Sequence, residues 1–304
     1  MRTMSMSARD FRGYGRQPPH AQWPGQARIA ININLNFEAG GERSILEGDG
    51  VSENMLSDTG FPSYPGKRSP IVESAFEYGT RAGNWRVLRI LKRFDVKVSV
   101  LGVVRALQQN PDAVEAFIAD GHEIVSHGYR WIDYQTIEED VEREHIALAV
   151  EGIKALTGSP PVGWMTGRPG QNTRRLLAEH GGFLYDRDSL ADELPYWVDV
   201  EGRQHLVIPY SYETNDNRHD HNGFGTAADF ERYMIDCFDM LYEEGAERPK
   251  IMSIGLHDRL IGRPARAVGL IRFLEHARRH DKVWFCTGRE IAAHWRKLYP
   301  SQAG

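Results

Sequence analysis

Residues 28–38 read RIAININLNFE. Ile29, Ile31, Ile33, Leu35 and Phe37 alternate with Asn32, Asn34 and Asn36, and Glu38 closes the run. A strict period of two predicts a β-strand with an apolar and a polar face. Shorter apolar runs follow at 97–103 (KVSVLGV), 122–128 (HEIVSHG), 162–167 (VGWMTG), 183–186 (FLYD), 205–211 (HLVIPYS), 251–257 (IMSIGLH) and 282–287 (KVWFCT), giving eight strand candidates. Helical patterns lie between most of them. Asn110-Pro111 caps and starts one helix. Thr136 and Glu139 fit a capping box for a helix through Leu156, and Gly158 stops it. Phe230, Tyr233, Met234, Cys237, Phe238 and Leu241 recur at helical spacing. Strand and helix alternating along the whole chain predict a parallel sheet with crossover helices. Seven or eight such units predict an α/β fold, a distorted (β/α) barrel. No linker or internal repeat interrupts it, so residues 1–304 read as one domain, with 1–27 an irregular arm.

The wider composition narrows the class. A chain of 304 residues can bury a large core without staples. Two cysteines, Cys237 and Cys286, are too few for a disulfide framework and point to a reducing compartment. The net charge of −5 argues against a nucleic-acid or anionic-membrane surface. No apolar run approaches the roughly 18–20 residues of a membrane span. The N-terminal stretch lacks the apolar core of a signal peptide. A soluble cytoplasmic protein acting on a small molecule is the expectation.

In a (β/α) barrel the C-terminal ends of the strands build the active site. Here they carry Glu38, His127, Arg168, Asp186 with Asp188, and His257. A carboxylate, two imidazoles and a guanidinium on one face can hydrolyse a carbon–nitrogen bond. The connection from Ala39 to Gly66 is long for a compact domain and follows the first strand. It either covers the barrel mouth or makes a subunit contact, or does both. His219 with His221, and His276 with His280, have metal-like spacings, but read more simply as a solvated loop and a helix C-terminal turn. His122 points away from His127 in an extended run and reads as structural.

The stretches LNFEAGGERSILEGDGVSE, SHGYRWIDY, TGRPGQNTRRLLAEHGGFLYD, HLVIPYSYETNDNR and SIGLHDRLIGRPARAVGLIRFLEHA resemble the polysaccharide deacetylase (NodB-homology) superfamily. Within it the chain is most similar to the metal-independent allantoinase branch, over nearly its whole length. The superfamily's Thr-Phe-Asp-Asp-Gly motif aligns with NFEAG, so Glu38 falls on the general base and Ala39 on a metal ligand. Its His-x-x-x-His motif aligns with His127 and Trp131. An alanine cannot coordinate and an indole N–H only donates, so two of three usual metal ligands are gone.

The resemblance implies a NodB-type barrel, no metal, no cofactor and a homo-oligomer, a tetramer among the options. It implies ring opening of allantoin to allantoate. Glu38 would be the general base, and His257 the general acid or oxyanion donor. His127 would orient substrate or water, and Arg168 would hold Glu38 or a substrate carbonyl. Trp131 would fill the vacated metal space and stack on the flat ring. Glu42 and Asn215 complete the substrate-binding set. Glu38→Gln is expected to cut turnover about 10²-fold or more with the fold nearly as stable. Ala39 stands where the branch more often has a second acid. Two alternatives stay open: another cyclic imide or amide hydrolase or N-deacetylase of the superfamily, or an inactive ligand-binding barrel.

Overall fold

The computed structural model describes residues 4–5, 9–219 and 223–301. Its strands are β1 (Met4–Ser5), β2 (Ile29–Phe37), β3 (Ser99–Gly102), β4 (Glu123–Ser126), β5 (Gly163–Trp164), β6 (Tyr185–Asp186), β7 (Tyr196–Val200), β8 (Arg203–Val207), β9 (Lys250–His257) and β10 (Val283–Phe285). Each of the eight predicted runs overlaps one of them. The parallel run β8-β6-β5-β4-β3-β2-β9 curls into a distorted barrel. β2 is its central strand. β9 pairs with β2 from Ile29 to Asn36, while β10 and β3 share the other edge, at Ile29–Ile31 and Asn34–Phe37.

The two faces of β2 explain its alternation. Ile29, Ile31, Ile33, Leu35 and Phe37 pack outward into the main apolar cluster with residues such as Leu91, Val104, Phe117 and Phe273. The asparagines point inward and are buried as well. Burying an amide is tolerated only if it is hydrogen-bonded. Asn32 Nδ2 donates to the Cys286 carbonyl (2.8 Å), Asn34 Nδ2 to Ile254 (3.2 Å) and Asn36 Nδ2 to Leu256 (3.0 Å). This amide ladder ends at Glu38.

Three sequence expectations need correction. The sheet is not wholly parallel, because β7 and β8 form an antiparallel hairpin. Their two-residue turn, Glu201-Gly202, has positive φ at both positions (52° and 81°), as a type I′ turn requires. The barrel is not closed by a ladder: among the described residues, one bridge, Asn215 to Gly255, joins the segment after β8 to β9. The third concerns α5 (Glu139–Thr157), which has no capping box. Its N-cap is Glu138, and Thr136 donates to the Asp133 carbonyl instead. Gly158 does end this helix, at φ 80°. The 1–27 arm also contains β1, which pairs with β7.

The other helices pack outside the sheet: α1 (Pro70–Tyr78), α2 (Asn84–Arg93), α3 (Val104–Gln109), α4 (Pro111–Ala119), α6 (Thr173–His180), α7 (Ala227–Glu244), α8 (Pro264–Ala277) and α9 (Gly288–Leu298). Asn110 accepts from the Ala113 N–H, the cap its sequence predicted. A π-turn, Gly79–Gly83, joins α1 to α2. A Cβ at Gly83 would collide with the Asp258 backbone, so the turn lies directly on the end of β9. No described helix is long and apolar enough to cross a membrane.

Candidate active site

Glu38 leaves β2 into a cavity of about 270 Å³ at the C-terminal ends of the strands. His127, Trp131, Arg168, Asn215 and His257 line the same cavity, with Asn36, Met55, Leu56, Tyr210 and Tyr212. Six of the seven predicted site residues therefore meet. Glu42 does not line this cavity. It turns back so that its Oε2 accepts from the Gly40 N–H (2.5 Å), and it lines a neighbouring cavity with Ala39, Arg68 and Phe76. Ala39 thus lies beside the cavity that holds Glu38 and does not line it.

The Glu38 carboxylate is 1% exposed and sits among cations. Arg259 Nη2 lies 2.6 Å from Oε2, and His127 Nε2 and His257 Nε2 lie 3.2 and 3.7 Å from Oε1. Burial pushes the carboxyl pKa up, but Arg259 first, then His257 and His127, reverse this and hold it well below the usual range. His127 is held between the Met165 carbonyl, 2.6 Å from its Nδ1, and Glu38 Oε1, 3.2 Å from its Nε2.

His257 is held differently. Its Nδ1 donates to Asp216 Oδ1 at 2.6 Å. Asp216 Oδ2 accepts the backbone N–H groups of His257 (2.7 Å) and Ile261 (3.1 Å). This orients the ring and leaves Nε2 on the Glu38 side. Sequence reasoning missed Asp216 and Arg259. Both lie inside quoted motifs, in YETNDNR and LHDRL, but neither closes a strand.

Of the two roles expected of Arg168, the structure shows no contact with Glu38, which leaves the substrate carbonyl. Arg168 Nη1 pairs with Glu53 (3.1 Å), its Nη2 donates to the Trp131 carbonyl (2.8 Å), and it lies 4.3 Å over the Trp131 ring. Its Nε is buried without a partner, a donor left for substrate. Trp131 carries Arg168 on its face, with Arg259 5.2 Å from the ring centre, so cations take the platform expected to stack on a substrate. Glu38→Gln also cannot leave the fold nearly as stable, because it strands the buried Arg259.

The 39–66 segment does cover the mouth. Met55 and Leu56 line the cavity. Five arginines pin the segment: Arg105 on Glu47 (2.5 Å), Arg130 on Asp49 (2.6 and 3.0 Å), Arg168 on Glu53, Arg259 on the Leu56 carbonyl (2.7 Å) and Arg266 on Asp58 (2.7 and 2.9 Å). Asp186 and Asp188 stay outside the cavity. Asp186 pairs with Arg174 and His205, and Asp188 accepts the N–H groups of Thr166 and Gly167 just before Arg168.

The residues present do not fit a metal of the family's kind. Where a third ligand would sit there is an indole, and the Arg259 guanidinium already neutralises Glu38. Among the described residues, the one group close enough to share an ion lies elsewhere: Asp239, His276 and His280. His276 there bonds Asp239 (2.7 Å) and accepts from Arg279, whose charge opposes a second cation. His219 stacks on Phe230 and bonds the Phe224 carbonyl; His221 lies outside the described residues. His122 accepts from the Val98 N–H, a structural role as expected.

The polysaccharide deacetylase family pattern matches residues 65–181. A Schizosaccharomyces pombe protein carrying the polysaccharide deacetylase name is 37% identical over 97% of this chain and 99% of its own length. The chain belongs to the polysaccharide deacetylase family. Among solved family structures, a Pseudomonas aeruginosa PAO1 polysaccharide deacetylase superposes with a TM-score of 0.95 at 53% identity, over 97% of this chain and 99% of that one. The structure of Puue allantoinase superposes with a TM-score of 0.95 at 52% identity and the same coverage. In this family barrel Glu38 pairs with Arg259, and Trp131 stands four residues beyond His127.

Proposed function

We propose that the protein opens the cyclic amide of allantoin to give allantoate, a step of purine breakdown, without a metal. The observation that carries this is the buried Glu38–Arg259–His127 cluster, at motifs that resemble the superfamily's metal-binding ones but lack two of their ligands. The similarity to Puue allantoinase over nearly the whole chain supports the choice of ring.

In this reading the attacking water is held by Glu38 Oε1 and His257 Nε2. Glu38 was expected to be the base, but its depressed pKa makes it a weak one. His257, oriented by Asp216 with Nε2 on the Glu38 side, takes the proton. The water oxygen bonds to the ring carbonyl carbon, and the carbonyl electron pair moves to oxygen. His257 then returns its proton to the ring nitrogen as the C–N bond breaks. The new carboxyl group loses its own proton to solvent. The guanidinium of Arg168 favours the developing anion. Two free cysteines fit a cytoplasmic site of action.

The test is hydrolysis of racemic allantoin by protein treated exhaustively with chelator, with residual metal quantified. Allantoate formation at a rate independent of metal content is expected. No turnover with or without restored zinc or manganese would exclude this function.

A further inference from the structure

We propose that the Tyr210 hydroxyl donates the hydrogen bond that meets the oxyanion of the opening ring, because two asparagine amides occupy its acceptor side and leave its proton to the cavity. This rests on the ring-hydrolysis reading above and adds a residue to which the sequence reading gave no role.

Tyr210 lies in the segment after β8, at the seam, and lines the Glu38 cavity. Its Oη has two neighbours, Asn215 Nδ2 at 3.0 Å and Asn36 Nδ2 at 3.3 Å. Amide oxygen and nitrogen are told apart only by their partners, and here the partners decide. Asn36 Nδ2 also faces the Leu256 carbonyl, so it is the nitrogen. Asn215 Oδ1 accepts the Asn217 N–H at 2.9 Å, so the other atom of that amide is the nitrogen. Both amides therefore donate to Oη. A phenol oxygen has two acceptor positions and one proton. Its acceptor positions are filled, and among the described residues nothing accepts the proton.

Three further features suit the role. Burial drives the phenol pKa upward, so the proton stays in place across the working pH range. Two donors on the same oxygen polarise its O–H bond and strengthen it as a donor. Asn36 lies two residues before Glu38 on the inward face of β2, so Tyr210 is anchored directly below the carboxylate. Gly255 makes the arrangement possible, since a Cβ there would collide with both Tyr210 Oη and Asn215 Nδ2. No proton leaves Tyr210 in the reaction; its hydrogen bond shortens as charge builds on the carbonyl oxygen.

The experiment compares the parent enzyme with Tyr210→Phe on allantoin. Loss of one such donor lowers kcat by about 10²–10³-fold, with KM changed little. A Tyr210→Phe variant within threefold of the parent would overturn the proposal and leave the allantoin reading intact. A parent that opens no ring would overturn both. If Tyr210→Phe does not fold, 3,5-difluorotyrosine placed at 210 decides the matter. Its more acidic phenol still accepts from both asparagines after ionising but can no longer donate. The alkaline limb of the kcat profile should then move to lower pH; an unmoved limb would mean that Tyr210 only supports the fold.

Discussion

Arg259 and Glu38 are each 1% exposed and face one another at 2.6 Å across the end of the barrel. A buried ion pair adds little net stability, but removing one partner leaves an uncompensated charge. Glu38→Gln should therefore cost roughly 3–5 kcal/mol of stability and lower turnover, because the attacking water loses its ionised acceptor. Adding Arg259→Met should recover much of the stability and none of the activity. Urea unfolding and allantoin turnover on the three proteins check this. The pH sign follows from Glu38's lowered pKa. Its contribution is fully present above the ordinary carboxylate range and is lost as pH falls through and below it.

Asp216 orients His257 by accepting its Nδ1 proton. Asp216→Asn offers an amide that no longer demands that tautomer, and it removes the charge that steadies a protonated ring. We expect kcat to fall by about 10²–10⁴-fold, the span of acid–base contributions, with KM nearly constant. Steady-state kinetics would settle it; a tenfold KM effect at constant kcat would argue against the assignment.

Arg168 ties the covering segment to Trp131 through Glu53. Lysine lacks the planar fork that serves both partners at once. Arg168→Lys should raise KM and speed proteolytic nicking within residues 50–66, while the melting temperature moves little. Limited proteolysis with and without substrate tests whether ligand restores protection.

Asp258 is buried beside Arg259, and neither carboxyl oxygen has a well-formed hydrogen-bond partner. Burial pushes its pKa up to about 7, from an ordinary 3.8, with the Glu38 charge also raising it and Arg259 opposing. The folded protein then holds a proton that the unfolded chain has released. Stability falls as pH rises from about 4 to 7 and stays lowered above. Asp258→Asn should remove that slope. The gain should be on the order of a few kcal/mol at pH 8 and vanish toward pH 4, as read from unfolding curves across pH.

Legibility in the sequence followed periodicity. The β2 alternation and the short apolar runs marked each strand that feeds the parallel part of the sheet. β7 escaped because its turn is Glu201-Gly202, which lacks the Asn-Gly or Asp-Gly signature of a tight hairpin. Glu38, His127 and His257 were legible because each closes a strand. Arg259 was not, because it reaches back from two residues beyond β9, and the strand-end rule favoured Arg168 for its role. Glu42 was misplaced because the turn after Glu38 curls onto its own backbone, a local hydrogen bond that linear spacing does not reveal. Tyr210 and Asp216 matter through partners on other strands, so no local pattern announces them.

The seam between β8 and β9 rests on the bridge from Asn215 to Gly255, and Asn215 is also the amide that fixes Tyr210. The join across this seam and the anchoring of Tyr210 thus share Asn215. Warming that opens this join spares the helices and the long β2–β9 ladder. Inactivation should then run ahead of the loss of secondary structure, with the join behaving as a thermal fuse that blows before the scaffold melts.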